Sequence, residues 1–144
     1  MTAPHSQTEI LVHNQAALTE LERSIKLRPG RFFLILAKSN YSRLRGIVNE
    51  HLLKTGAAEE LVLPDTMGSL RQTIAAYVQD SSPPALLLSG LENVKKANDI
   101  ITAANLGRDE LRKRFPLPLV LWVNDDTLQL MNHYGPDLKS IATT

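Results

Sequence analysis

Three short segments carry the polar side chains that are best placed for chemistry, and each of them follows an apolar run. They contain Lys38, Ser39 and Asn40, then Ser89 and Glu92, and finally Asn124 and Asp125. Lysine and backbone N–H groups bind phosphate, whereas carboxylate and carbonyl oxygens bind magnesium. These residue types therefore raise the question of a nucleotide site.

The first segment lacks the features of a phosphate-binding loop. Such a loop needs glycines that let backbone N–H groups wrap the phosphates, a lysine reaching forward and a hydroxyl for magnesium. No glycine occurs between Arg31 and Arg45, and the Lys38-Ser39 pair comes too early, at the end of the apolar run. We therefore predict an ordinary short loop here.

The other two segments lack a well-placed magnesium ligand. A nucleotidase holds magnesium through an acidic residue at the end of a strand, where this chain has the uncharged Ser89. Glu92 is more typical of the first turn of a helix, and either Asn124 or Asp125 is expected to cap the helix that follows. We predict no catalytic residue, no cofactor and no metal. The candidates for a vestigial crevice are Lys38, Ser39, Ser89, Glu92, Asn124 and Asp125. In the alternative, Lys38, Ser39, Glu92 and Asp125 bind nucleotide weakly in an unfamiliar arrangement.

Other kinds of site are not indicated. The histidines at positions 5, 13, 51 and 133 share no metal-ligand spacing, and His51 lies on an apolar helix face, which predicts a core histidine. Ser89-Gly90 does not form the nucleophile elbow of a hydrolase. The segment 108–114 mixes acidic and basic residues and predicts a solvated helix end rather than a nucleic-acid patch.

Composition is that of an ordinary globular domain. The chain has 144 residues, of which 43% are hydrophobic, a net charge of +1 and no cysteine. We predict a flexible polar tail at residues 1–8 and a single α/β domain at residues 9–144. With neither a basic excess nor a long apolar run, no nucleic acid or membrane partner is indicated, and the cytoplasm is the expected location.

Apolar periodicity predicts alternating helices and strands. Helices are expected at residues 9–27, 42–54, 94–115 and 125–134, with a further one around Leu70 to Val78; strands are expected at residues 32–37, 61–63, 85–88 and 117–123. Strands joined through helices of that length run parallel. The pattern therefore predicts an open, mostly parallel sheet of four or five strands with helices on both faces. In the last strand, Val120 and Trp122 should face one side, and Leu119, Leu121 and Val123 the other.

Three segments carry a resemblance to a known family. They are Asn40-Tyr41, Leu87-Leu-Ser-Gly-Leu-Glu92 and, most specifically, Phe115-Pro-Leu-Pro-Leu-Val-Leu-Trp-Val-Asn-Asp-Asp126. Together they resemble the N-terminal domain of large cyanobacterial proteins that continue into tetratricopeptide or WD-repeat arrays. That domain is similar to the nucleotide-binding core of STAND-type ATPases, a branch of the AAA+ class, in an inactive form. The resemblance spans about residues 30–144.

The resemblance implies a P-loop-NTPase-like fold without its activity. The loop at residues 38–42 does not match the family's phosphate loop, and Ser89 stands in the position of the magnesium aspartate. Asn124 matches the family's sensor position, but the phosphate loop and the magnesium aspartate that would accompany a sensor residue are missing from the sequence. A second resemblance, of residues 34–56 to the opening of a response-regulator receiver with a flavodoxin-like fold, also lacks its acidic residues and its phosphoacceptor. Both imply an inactive domain.

The implied role is a protein-interaction or regulatory module at the head of a longer protein, with a protein partner or self-association. The AAA+ resemblance implies the strand order first, fourth, third, second, with a fifth strand beside the first. Residues 137–144 offer too little for that strand, which predicts truncation after Thr144 and an exposed edge at residues 32–37. The N-terminal helix, residues 141–144 or a second copy would cover this edge. A first strand paired on both sides would instead favour a receiver-like order.

Overall fold

A computed structural model describes residues 15–27, 30–140 and 142–143 of the chain. The predicted tail and the first six residues of the predicted first helix lie outside them. Along the chain the elements are α1 (Gln15–Lys26), β1 (Phe33–Lys38), α2 (Ser42–Lys54), β2 (Glu59–Val62), α3 (Leu70–Gln79), β3 (Leu86–Ser89), a 3₁₀ turn (Leu91–Asn93), α4 (Ala97–Leu106), α5 (Arg108–Arg114), β4 (Pro118–Val123), α6 (Asp125–Tyr134), α7 (Pro136–Ser140) and β5 (Ala142–Thr143).

The strands form one open sheet in the order β2-β3-β4-β1-β5, and every pair is parallel. This confirms the predicted fold class. The first four strands lie in the order first, fourth, third, second, as the AAA+ resemblance implied. The order differs from the 2-1-3-4-5 arrangement of flavodoxin-like and receiver sheets.

β1 lies in the interior of the sheet, so the predicted edge position is wrong, whereas the prediction that residues 141–144 could cover this strand is confirmed by β5. Ala142 and Thr143 pair with Leu34 and Ile35 on the side away from β4. The expectation that an interior first strand would accompany a receiver-like order is also wrong, since β5 flanks β1 without changing the positions of the other strands.

Helices cover both faces of the sheet, as predicted. One face, with Ile35, Leu87, Val120 and Trp122, packs against α1 and α2. The other face, with Leu34, Leu36, Leu119, Leu121 and Val123, packs against α3 to α7. All six residues of β4 are buried. The predicted alternation along β4 is therefore confirmed, and β4 is the most deeply enclosed strand.

β2 spans Glu59–Val62, so it begins two residues earlier and ends one residue earlier than predicted, and its acidic residues are paired. The carboxylate of Glu59 accepts hydrogen bonds from the Tyr77 hydroxyl at 2.7 Å and from Ser81 Oγ at 3.0 Å. This carboxylate raises the pKa of the Tyr77 hydroxyl above its ordinary value, and burial adds to the effect. Two acidic residues thus form the first half of a strand that the apolar pattern alone places at residues 61–63.

The predicted long helix at residues 94–115 is wrong, because it is two helices that meet at Gly107. The Gly107 backbone, at φ −97° and ψ 19°, ends α4 and begins α5. α7 was not predicted; it is held by the buried Leu138, whose N–H donates to Asn105 Oδ1 at 2.8 Å. Within the described ranges no helix is both long and apolar enough to cross a membrane.

Candidate functional site

The carboxyl ends of the parallel strands meet at one edge of the sheet, and in open α/β sheets this edge is where ligands bind. Four loops reach it: those after β1, β2, β3 and β4. The sequence candidates lie at the ends of β1 and β3, on the loops after β1, β3 and β4 or, for Asp125, at the first residue of α6. The topology therefore brings them to a common edge, where their individual contacts decide what they can do.

The loop between β1 and α2 has only three residues, Ser39 to Tyr41. The buried Ser39 hydroxyl accepts a hydrogen bond from the Tyr41 N–H at 3.1 Å and lies 3.3 Å from the Tyr41 carbonyl oxygen. The Ser39 N–H donates to the Val123 carbonyl at 2.8 Å, which fastens the loop to β4. Ser39 therefore closes its own turn, and the loop is too short to surround a phosphate.

Lys38 and Asn40 converge on Asp125 at the start of α6. The Lys38 ammonium lies 2.7 Å from Asp125 Oδ1, with side chains 47% and 57% exposed. Asn40 Nδ2 donates to Asp125 Oδ2 at 2.8 Å, and the Asp125 N–H donates back to Asn40 Oδ1 at 2.9 Å. The hydrogen bond from Lys38, followed by that from Asn40, lowers the pKa of the Asp125 carboxyl below its ordinary value. These contacts join the β1 and β4 ends of the crevice.

Ser89 belongs to a polar cluster under α2. Its hydroxyl donates to Glu60 Oε2 at 2.9 Å and lies 3.3 Å from Asn49 Nδ2. The buried Asn49 amide also donates to Glu60 Oε2 at 2.8 Å and accepts from Trp122 Nε1 at 2.7 Å. The cluster Asn49, Glu60, Ser89 and Trp122 thus links α2 to three strands, and Ser89 is engaged inside it.

Glu92 pairs with Arg45 of α2, and both side chains are largely covered. Arg45 Nη1 lies 2.7 Å from Glu92 Oε1, with side chains 13% and 20% exposed. Glu92 lies in the first turn of a helix, as predicted, although this helix is only the single 3₁₀ turn that precedes α4. Arg45 Nε and Glu92 Oε2 are buried without a hydrogen-bond partner among the described residues. The pair anchors the loop after β3 to α2.

Asn124 caps α6, which confirms one of the two predicted caps. Its side-chain oxygen accepts from the Thr127 N–H at 2.8 Å. The carboxylates of Asp125 and Asp126 lie in the first turn, where the helix dipole favours negative charge. The side-chain amide of Asn124 is therefore engaged as the N-cap of α6.

Sequence reasoning missed Arg45, Asn49, Glu60 and the hydrogen bond of Trp122. Their signal was weak: Arg45 and Asn49 lie four residues apart, on one face of α2, among the apolar residues of that helix. The prediction of a core histidine at position 51 is wrong, because His51 is half-buried and its Nε2 lies 2.7 Å from Glu22 Oε1 of α1. No group of three His, Cys, Asp or Glu side chains suited to a metal ion occurs in the part of the chain that the structure describes.

The chemistry available at this edge is limited by these contacts. The lysine is paired with a carboxylate, the arginine with another, and the serine and asparagine side chains have partners within the domain. The fold is an open, all-parallel α/β sheet in the order β2-β3-β4-β1-β5. Comparisons of the chain with protein families, with characterised proteins and with solved structures found no match.

Proposed function

We propose that this domain is a catalytically inactive, NTPase-like module of the cytoplasm that acts through protein partners or self-association. The observation that carries the proposal is the engagement of all six crevice candidates with neighbouring residues. Lys38 and Asp125 pair with each other, Glu92 pairs with Arg45, and Ser39, Ser89 and Asn124 have hydrogen bonds within the domain. A nucleotide would have to break these contacts before it gained its own.

The short β1–α2 loop supports the same proposal. A phosphate-binding loop presents several backbone N–H groups to one phosphate, whereas here three residues connect strand to helix. In this three-residue loop the Ser39 N–H donates to Val123 and the Tyr41 N–H to Ser39 Oγ. The fold offers a sheet with helices on both faces as a scaffold. Such a scaffold suits a role in recognition.

A calorimetric titration with Mg-ATP tests the proposal. We expect no saturable heat at millimolar nucleotide and no change in melting temperature. Binding at 100 times Kd would stabilise the fold by about 2.7 kcal/mol, which corresponds to a shift of several degrees.

Two lysine variants make the titration specific. Lys38→Ala removes the crevice lysine, and Lys54→Ala removes an exposed lysine at the end of α2. Saturable binding that survives in Lys54→Ala and disappears in Lys38→Ala would overturn the proposal in favour of a weak nucleotide-binding domain.

A further inference from the structure

β5 covers only the first part of β1 at the outer edge of the sheet. Its two residues pair with Leu34 and Ile35, whereas β1 continues to Lys38. Among the described residues no other strand flanks β1 on this side. The outer edge of β1 is therefore open beyond the end of β5.

The hydrogen bonds of β1 show which main-chain groups this open edge presents. The Ser39 N–H donates to the Val123 carbonyl, on the β4 side. Because successive residues of a parallel strand direct their N–H and C=O groups to opposite neighbours, those of Leu36 and Lys38 are directed away from β4. β5 ends in register with Ile35. The Leu36 carbonyl and the Lys38 N–H thus lie past the end of β5, and no hydrogen bond joins either group to another described residue.

A groove of about 420 Å³ borders this edge, on the face of the sheet that α1 covers. Residues 35–39 line it without interruption. The Leu36 side chain lies in the core of the opposite face, and the Lys38 ammonium pairs with Asp125 on that side. These two residues therefore border the groove with their main chain, and the groove opens onto the edge of the strand itself.

The walls of the groove are mainly apolar. They include Leu18 and Leu21 of α1 and, on the floor, Trp122, while Glu20 is the charged side chain that lines the groove from α1. A strand residue in register with Ala37 directs its side chain to the same face of the sheet as Ala37, and therefore into the groove. A large apolar side chain suits this position, and Glu20 disfavours an acidic one.

We propose that the open edge of β1 accepts an extended segment of a partner protein as a short parallel strand in line with β5. The main chain of this segment donates to the Leu36 carbonyl and accepts from the Lys38 N–H, and a large apolar side chain enters the groove. Strand addition to an open sheet edge is a general mode of peptide recognition. The edge strand β2 of a second copy contains the acidic residues Glu59 and Glu60 and fits a groove lined by Glu20 less well.

This inference names the kind of partner for the proposed interaction module, and in that respect it rests on the proposed function. The two can nevertheless fail separately. Saturable binding of Mg-ATP would overturn the inactive module without removing the open edge of β1. A failed peptide titration would overturn the strand site without creating a nucleotide site.

The probe is the hexapeptide acetyl-Thr-Leu-Thr-Val-Lys-Lys-amide, titrated into the whole isotope-labelled protein and followed by NMR. Its leucine is the residue for the groove, and it carries no acidic group. We expect saturable shifts that include the Lys38 amide, whose exchange with solvent should slow. The same peptide with an N-methylated leucine lacks the donor for the Leu36 carbonyl and should bind about tenfold more weakly. A response that does not saturate, or equal binding of both peptides, overturns the proposal.

Two neighbouring alanines of α1 locate the site. Ala17→Phe places a ring at an exposed position of the groove wall and should obstruct the peptide, whereas Ala16→Phe, at an exposed position outside the groove, should bind as the wild type does. Circular dichroism confirms that both variants are folded. Equal peptide binding by the two variants overturns the proposal. A wild-type dimer that only Ala17→Phe abolishes in sedimentation would assign the edge to a second copy, and would also overturn it.

Discussion

Single side chains at the carboxyl edge have structural partners in place of ligands. Asn49 shows this best, because one buried amide serves Trp122, Glu60 and Ser89 at once. Asp125 shows it in an exposed setting, where a lysine, an asparagine and a helix N-terminus favour its charge. Each residue gives a measurable prediction.

Removing the Asn49 amide should destabilise the fold. Asn49→Ala leaves Trp122 Nε1 buried without an acceptor and takes a donor from Glu60. We expect a loss of about 1–3 kcal/mol in the free energy of unfolding, measured by urea denaturation. Asn98→Ala, at an exposed position of α4, is the matched control and should be nearly neutral. Equal free energies of unfolding for the two variants would show that the cluster does not stabilise the fold.

The Asp125 carboxyl should titrate below its ordinary pKa. Because its pKa is lowered in the folded state, its contribution to stability is present above the unfolded pKa and lost as pH falls through the folded pKa. NMR titration should give a pKa for the Asp125 carboxyl below its ordinary value. This pKa should rise in Lys38→Met and remain at the wild-type value in Lys54→Met. An identical midpoint in Lys38→Met would contradict the pairing.

The burial of each strand follows from the number of strands and helices that cover it. β4 has a strand on each side and helices over both faces, which accounts for its six buried residues. β2, at the edge, pairs with β3 alone among the described strands and exposes Val62 by 64%. Shortening a side chain in β4 should therefore lower the free energy of unfolding much more than shortening one in β2.

Leu121→Ala tests the placement of β4. The Leu121 side chain is buried in the larger core with Leu119 and Val123, so the truncation should cost about 2–5 kcal/mol. Val62→Ala in the edge strand should cost no more than about 0.5 kcal/mol. Thermal and urea unfolding of both variants provide the comparison. If Leu121→Ala keeps the wild-type melting temperature, β4 is not the central strand.

The whole molecule depends on a very short strand to cover β1. β5 contributes two residues, yet its pairing separates an apolar strand from solvent at the edge of the sheet. An uncovered apolar edge is a template for pairing with a second chain. Covering β1 within the domain therefore limits unspecific association.

A chain ending at Ser140 should associate more strongly than the chain of 144 residues. It loses the pairing of Ala142 and Thr143 with β1 and exposes that edge. Sedimentation velocity from micromolar to millimolar concentration should show concentration-dependent association of the shorter chain alone, with circular dichroism confirming that both are folded. Identical sedimentation of the two chains would mean that β5 does not protect the edge.

The alternation of elements, the bounds of α2 and α6, the two faces of β4 and the absence of a glycine-rich phosphate loop could all be predicted from the sequence. These features depend on periodicity, capping and local chain geometry, which neighbouring residues encode. Only the assembled structure shows which of the three expected covers β1 has, where the break at Gly107 falls, that His51 contacts Glu22 and that a cluster forms around Asn49. The groups that form these pairings and contacts are far apart in the chain and meet only after the sheet has assembled. From the sequence, polar residues such as Glu60 and Asn49 are expected at the surface, because the partners that allow their burial are not apparent.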